Sequence, residues 1–460
     1  MADAQLADPP VAAHEAVPWS RRHFRILLVA IVVGGLALRV AYVWIYRRDT
    51  AYGGDPLYFH LGANLLASGH GFINPYAFAR HRVVQAADHP PLYLVYLSIF
   101  SRFGVRSITG HLLASTLLGA ASIAVAGLAG REIGSRRPDG GARLGLLGAL
   151  AVAVYPNTFR YDGMLLSESM VILTVLVTVW LAYRYWHHPT RWRMAAVGAM
   201  VGLAALSRSE LVLFVPLLVL PLALLTPDAS RRRRLRRSVV GVAATVLVLA
   251  PWVAFNLARF DHTVLLSENI GGTLATSNCQ QVYQGELIGY WYYPCGQAIL
   301  DAHHIGPYAF NGAADRDQFN GALTYIKAHK GRVPVVMAAR VGRITGLFRP
   351  RQEAHLDVYL ENTTQWVSTW GLYSYYPMAV LAIVGAVVLR RRREVVFPLL
   401  APVVSVLVTV ALFYAATRFR ATAEGALCLL AAVAVDAALN RFAPGTSSRV
   451  PASVPAEAVA

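Results

Sequence analysis

Long apolar runs alternate along this chain with short polar segments rich in arginine. A helix that crosses a bilayer needs about 20 apolar residues. Ten stretches read as such spans: 24–46, 107–131, 143–160, 163–185, 193–207, 209–227, 238–257, 371–390, 395–415 and 422–441, the third and fifth being short. Five arginine clusters punctuate them. They are Arg21, Arg22 and Arg25; Arg131, Arg136, Arg137 and Arg143; Arg184, Arg191 and Arg193; the run Arg231 to Arg237; and Arg390 to Arg393. All five fall on one side of the membrane if both ends of the chain are cytoplasmic, which is where basic loops concentrate. The pattern predicts an all-α polytopic membrane protein with a short tail at 1–23, a transmembrane domain over 24–441 and a disordered tail at 442–460.

Two long segments then face outward, 47–106 and 258–370. In the first, Asp55-Pro56 places a capping acid before proline, a helix start, and Leu57 to Ser68 continues it. His89-Pro90-Pro91 opens a second helix, Leu92 to Phe100, too short to span and expected to lie in the outer interface. In the second segment, Val335 to Phe348 is apolar but carries Arg340 and Arg343, which favours an interfacial helix over a span.

Composition agrees. Hydrophobic residues make up 56% and charged residues 15%, against about 45–50% and 25% in globular chains, so the chain is neither disordered nor an ordinary soluble enzyme. The net charge of +17 does not indicate nucleic acid, because the arginines sit in loops between spans. Cys279 and Cys295 share the second outer segment, where a disulfide is permitted; a bridge and two unrelated thiols are equally compatible with the sequence.

Several polar residues admit both a structural and a chemical reading. Asp55 can cap its helix, or it can act as a general base at the membrane surface. Glu168 lies early in the fourth span, where an acid is costly and by default suggests function; pairing with an arginine explains it equally. Arg39 in the first span poses the same question. His60, His70, His81 and His89 have spacings that match no metal motif. Arg418 and Arg420 break the inside-positive trend at the outer end of the ninth span. They can bind a phosphate bidentately or anchor to lipid headgroups, and Arg349 and Arg351 allow the same two readings.

Leu38-Arg39-Val40, Gly54-Asp55 with Tyr58, Ala63-Asn64-Leu65-Leu66, Gly69, Gly71-Phe72 and His89-Pro90-Pro91-Leu92-Tyr93 occur in that order. Further on come Tyr155-Pro156, Leu166-Ser167-Glu168, Tyr325-Ile326-Lys327-Ala328-His329 and Arg418-Phe419-Arg420 with Glu424. The series resembles the glycosyltransferase C superfamily, in its bacterial branch related to protein-O-mannosyltransferases and aminoarabinose transferases (glycosyltransferase family 39). The resemblance implies an inverting transferase that takes a sugar from a polyprenyl phosphate to an acceptor hydroxyl of a glycan, lipid or protein on the outer face of the plasma membrane. It implies Asp55 as base, Arg418 and Arg420 as partners of the donor phosphate, and His89 as a residue that orients donor or acceptor. A monophosphate leaving group has no diphosphate to clamp, so no divalent metal or other cofactor is required. Many relatives carry an acid directly after the base; here it is Pro56, which weakens any case for a metal held by a pair. Acceptor recognition falls to 258–370, with Asn278 and the aromatics Tyr290 to Tyr293 as candidates.

A transporter or flippase would instead place functional polar groups near the bilayer midplane and show repeated halves. Here the polar groups gather at one surface and no repeat is visible. A non-catalytic lipid-binding subunit would keep the fold without needing Asp55.

Overall fold

A computed structural model describes residues 21–227, 230–302 and 312–442. Of the expected tails, only residues 21–23 and 442 fall within them. Among the described residues the fold is helical, with one isolated bridge between Ile73 and Gln85. Six helices are long and apolar enough to cross a membrane: Arg21–Arg47, Ile108–Ile133, Glu168–His187, Arg231–Arg259, Gln365–Arg391 and Thr417–Arg441. Ala142–Val154, Arg191–Ala205, Ser209–Leu225 and Phe397–Leu412 account for the other four expected spans. The chain is a multi-pass membrane protein.

The third expected span is broken. Tyr155 turns extended before Pro156, and a short helix Pro156–Phe159 and a tight turn Arg160–Gly163 follow. Proline lacks the N–H that would continue the ladder and pushes its predecessor out of helical geometry. The break delivers Asp162 to the bundle interior, where it pairs with Arg39 at 2.8 Å and accepts from Ser169. Arg39 also donates to the carbonyls of Val152 and Ala153, so this intramembrane charge is fully engaged.

Ile108–Ile133, Glu168–His187 and Thr417–Arg441 form the centre, with about 70% of their apolar windows buried. The other three long helices are buried over less than a third and present side chains such as Val29, Leu247 and Ile383 outward. Such a surface needs lipid. Where helices cross, small residues let backbones touch. Gly198 lies against the carbonyl of Gly241, and Gly385 against that of Leu430.

The five arginine clusters converge on one end of the bundle. Arg131 stacks over Phe24, Arg137 and Arg143 both hold Asp436, and Arg136 faces Glu394. Arg193 donates to the carbonyls of Arg184 and His188, and Arg237 to that of Pro189.

At the opposite end the two long segments fold into helical layers. Gly54–Ala67 packs on Leu92–Arg102. Ile270–Ser277 packs on Tyr293–Ala302 and Gly312–Ala328, and a disulfide joins Cys279 to Cys295. In the Val333–Ile344 helix, which the sequence reads as interfacial because of its two arginines, those charges turn inward. Arg340 and Arg343 are buried; Arg340 donates to the carbonyls of Ala411, Leu412 and Ser277, and Arg343 to those of Glu286 and Ile288. Arg340 pins the second segment to the Phe397–Leu412 helix, while Arg343 ties that segment together internally.

Candidate active site

Asp55 does not cap its helix. Gly53 holds the cap position, and Gly54 takes a positive φ of 56° that suits glycine. Asp55 follows in the first turn, with its carboxylate turned to residues far along the chain. Arg418 Nη1 meets one oxygen at 3.0 Å, and His89 Nε2 lies 3.5 Å from the other. The same Arg418 nitrogen reaches Glu361 at 3.4 Å, while its second arm donates to the Tyr414 hydroxyl. His89 is set by stacking on Phe59 and by the edge of Tyr58. Two parts of the first outer segment, the start of the Gly54–Ala67 helix and the His89-Pro90-Pro91 turn, thus meet the remote Thr417–Arg420 turn at one open-sided point where Asp55 remains 36% exposed.

Electrostatics define the states of these groups. Burial raises the Asp55 pKa, but His89 and Arg418 outweigh it and hold the carboxyl well below its ordinary range. Burial disfavours the His89 cation, yet Asp55 and Asp88 overcome this and raise its pKa above the ordinary imidazole value. Glu361 is pushed by burial up to about 7, with Arg418 opposing. One oxygen of Glu361 and one of Asp88 are buried without a hydrogen-bond partner among the described residues. Lone buried acceptors of this kind suit a ligand rich in hydroxyl donors.

Glu168 opens the Glu168–His187 helix and pairs with Arg208 at 2.8 Å. Arg208 also holds Glu210 and lies over the Phe419 ring at 4.5 Å. This second layer braces the turn that carries Arg418. Arg420 points elsewhere, because residues two apart on a tight turn diverge. It is buried, paired with Glu424 at 2.6 Å and stacked 3.8 Å from the centre of the Tyr375 ring.

Asn278 and Arg349 do not join the centre. Asn278 is buried beneath Tyr283, whose hydroxyl it accepts, and beside Arg340. Arg349 donates to the Glu286 carbonyl and lies over Phe348. Sequence reasoning missed Glu361, Asp88, Tyr414 and the Arg208–Glu210 pair. Arg208 and Glu210 could have been found, since charges interrupting an apolar run at membrane depth point to function. Among the described residues, no three His, Cys, Asp or Glu side chains come together as metal ligands.

Residues 88–255 match the family model described as dolichyl-phosphate-mannose-protein mannosyltransferase. The match takes in His89, Glu168 and Arg208 and leaves Asp55 and Arg418 outside it. No curated protein is significantly similar in sequence. Among solved structures, the oligosaccharyltransferase AglB of Archaeoglobus fulgidus, in complex with an inhibitory peptide and a dolichol-phosphate, superposes with a TM-score of 0.54 at 16% identity over 92% of this chain. The same enzyme complexed with zinc and sulfate gives 0.53 at 16% identity over 90% of this chain and 49% of its own. ArnT of Cupriavidus metallidurans bound to undecaprenyl phosphate gives 0.43 at 16% identity, covering 90% of this chain and 78% of its own. This chain spans about half the length of AglB, 51%, and at this identity the likeness is one of fold. The family model and the archaeal fold both lie in the glycosyltransferase C superfamily, which bears out the resemblance drawn from the sequence motifs.

Proposed function

We propose that this protein is an inverting glycosyltransferase that moves a hexosyl or pentosyl unit from a polyprenyl phosphate to an acceptor hydroxyl of a glycan, lipid or protein. Its site is assigned to the outer face of the plasma membrane, with the arginine-bearing end cytoplasmic. One observation carries the reading: an ionised acid from the first loop and a guanidinium from the last meet at 3.0 Å at the end of a membrane bundle. That pairing supplies both halves of a displacement at an anomeric carbon.

In the proposed reaction the acceptor oxygen attacks the anomeric carbon on the face opposite the phosphate. The bond from acceptor oxygen to carbon forms as the bond from carbon to phosphate oxygen breaks. The acceptor proton passes to Asp55, and the electron pair leaves with the polyprenyl phosphate, whose growing charge Arg418 stabilises. A donor phosphate competes with Asp55 and Glu361 for the Arg418 donors. Asp55 then loses one of the two cations that depress its pKa, and donor binding strengthens the base. Glu361 and Asp88 offer acceptors for sugar hydroxyls, and His89 orients the base. Arg418 meets a monophosphate without a divalent ion, so transfer proceeds with chelator present.

The test is transfer from a panel of radiolabelled polyprenyl-phosphate sugars to candidate acceptors by purified protein in nanodiscs. Turnover lost in Asp55→Asn supports the reading. Donor binding without turnover on any acceptor would favour a non-catalytic lipid-binding subunit, and movement of an intact lipid-linked sugar between leaflets a flippase.

A further inference from the structure

The Ile108–Ile133 and Glu168–His187 helices start near the Asp55 end and finish at the arginine-bearing end. Twenty residues at about 1.5 Å each set that end roughly 30 Å from Glu168. Between their last turns lies a cavity of about 580 Å³, within the size range of small-ligand pockets. Its walls are strongly basic: three arginines, Arg136, Arg184 and Arg193, line it with His187 and His188, against the single carboxylate of Glu132.

The hydrogen bonding leaves this charge uneven. His187 Nδ1 is held by Glu132 at 2.9 Å, and Arg193 is used on backbone carbonyls. Arg184 stacks over Trp180 and donates no hydrogen bond among the described residues. Arg136 faces Glu394 only at 3.7 Å with a largely exposed side chain. His187 Nε2 is buried without a partner among the described residues, although the side chain is just 6% exposed. A buried polar atom in that state calls for a ligand or water. Helix C-termini account for some of the cationic charge, but they use neither Arg136 nor the free nitrogen of His187.

We propose that this cavity binds the phosphate of an anionic phospholipid of the adjacent leaflet, with Arg136 and Arg184 as the donors to its oxygens and His187 Nε2 in the wall. The residues next to the lining argue for a lipid rather than a free ion. Trp180 stands beside Arg184 on a membrane helix, and Trp192, 72% exposed, carries Arg191 stacked on its ring. Indoles gather at headgroup depth, and basic pockets between membrane helices are suited to lipid phosphates. The proposal does not depend on the transfer reaction.

The experiment is thermal unfolding of the full chain in phosphatidylcholine nanodiscs while phosphatidylglycerol is titrated in. Phosphatidylglycerol should raise the midpoint of the wild type, and Arg136→Gln/Arg184→Gln should need at least about tenfold more for the same shift, having lost two charge-assisted hydrogen bonds. Arg391→Gln, in an exposed arginine run elsewhere on the same end, should titrate like the wild type. Equal titration of the double variant, or equal loss in Arg391→Gln, overturns a specific site. Inorganic phosphate acting as well as phosphatidylglycerol overturns the lipid assignment. Should the double variant not fold, native mass spectrometry of Arg184→Gln alone reads the same loss as fewer bound phosphatidylglycerol molecules.

Discussion

At the scale of single residues, the two arginines of the Thr417–Arg420 turn separate chemistry from structure. Arg418 faces Asp55, while Arg420 is enclosed by Glu424 and Tyr375. Lysine keeps the charge but loses the fork and the stacking plane. Arg418→Lys should therefore lower kcat/KM at least about tenfold with little change in unfolding temperature, since in the proposed reaction its loss is felt as the leaving phosphate gains charge. Arg420→Lys should show the reverse, a lower unfolding temperature with kinetics close to wild type in the folded fraction. Asp55→Asn should cost roughly 100- to 10,000-fold in kcat, the range of general-base catalysis, while the protein still folds.

The pH profile follows from the same charges. In the free enzyme Asp55 is held below the ordinary carboxylate range, so it stays ionised and kcat/KM should show no acid limb down to about pH 4. His89 has a raised pKa, so its cation is present below that value and is lost as pH climbs through it. Activity should thus decline on the alkaline side, above about 6.5. Glu361, near 7, also titrates there. Rate profiles of His89→Gln and Glu361→Gln separate the two. The alkaline limb should vanish in the first and persist in the second; the opposite result would make Glu361 the group that matters.

At the scale of elements, much was legible because hydropathy and length are local properties. Each of the ten expected stretches contains a helix, and six of these are long and apolar enough to cross a membrane, since backbone in lipid must satisfy its hydrogen bonds internally. The break at Pro156 was not read, although the Tyr-Pro pair carried its signal. Asp55, His89 and Arg418 could each be picked out, but not their meeting across 363 residues, because chain topology rather than local pattern brings them together. Glu361 and Asp88 look like solvated loop acids until burial is known. Helix crossings were likewise hidden in the sequence. Gly198 abuts the Gly241 carbonyl, so Gly198→Ala forces two helices apart. Overpacking of this kind costs about 1–3 kcal/mol, and thermal unfolding in nanodiscs should show the loss with Asp55 chemistry intact.

At the scale of the whole molecule, the arginine clusters and the Asp55 centre occupy opposite ends of one bundle. That geometry makes sidedness a single choice: if one cluster is cytoplasmic, all are, and the Asp55 end faces out. The native thiols leave the chain silent to maleimide, because Cys279 and Cys295 are bridged and Cys428 is buried. A single added cysteine therefore reports its own position. Val83, 71% exposed at the Asp55 end, and Arg232, exposed in the arginine run, are the informative sites. In intact cells an impermeant maleimide should label Val83→Cys and spare Arg232→Cys, and permeabilisation should expose the latter. The reverse pattern would place Asp55 in the cytoplasm and remove the outer-face assignment while leaving the chemistry of the Asp55–Arg418 pair untouched. Labelling of both before permeabilisation would contradict the placement of the arginine run and the Asp55 centre at opposite ends of the bundle, and the positive-inside argument would then lose its geometric basis.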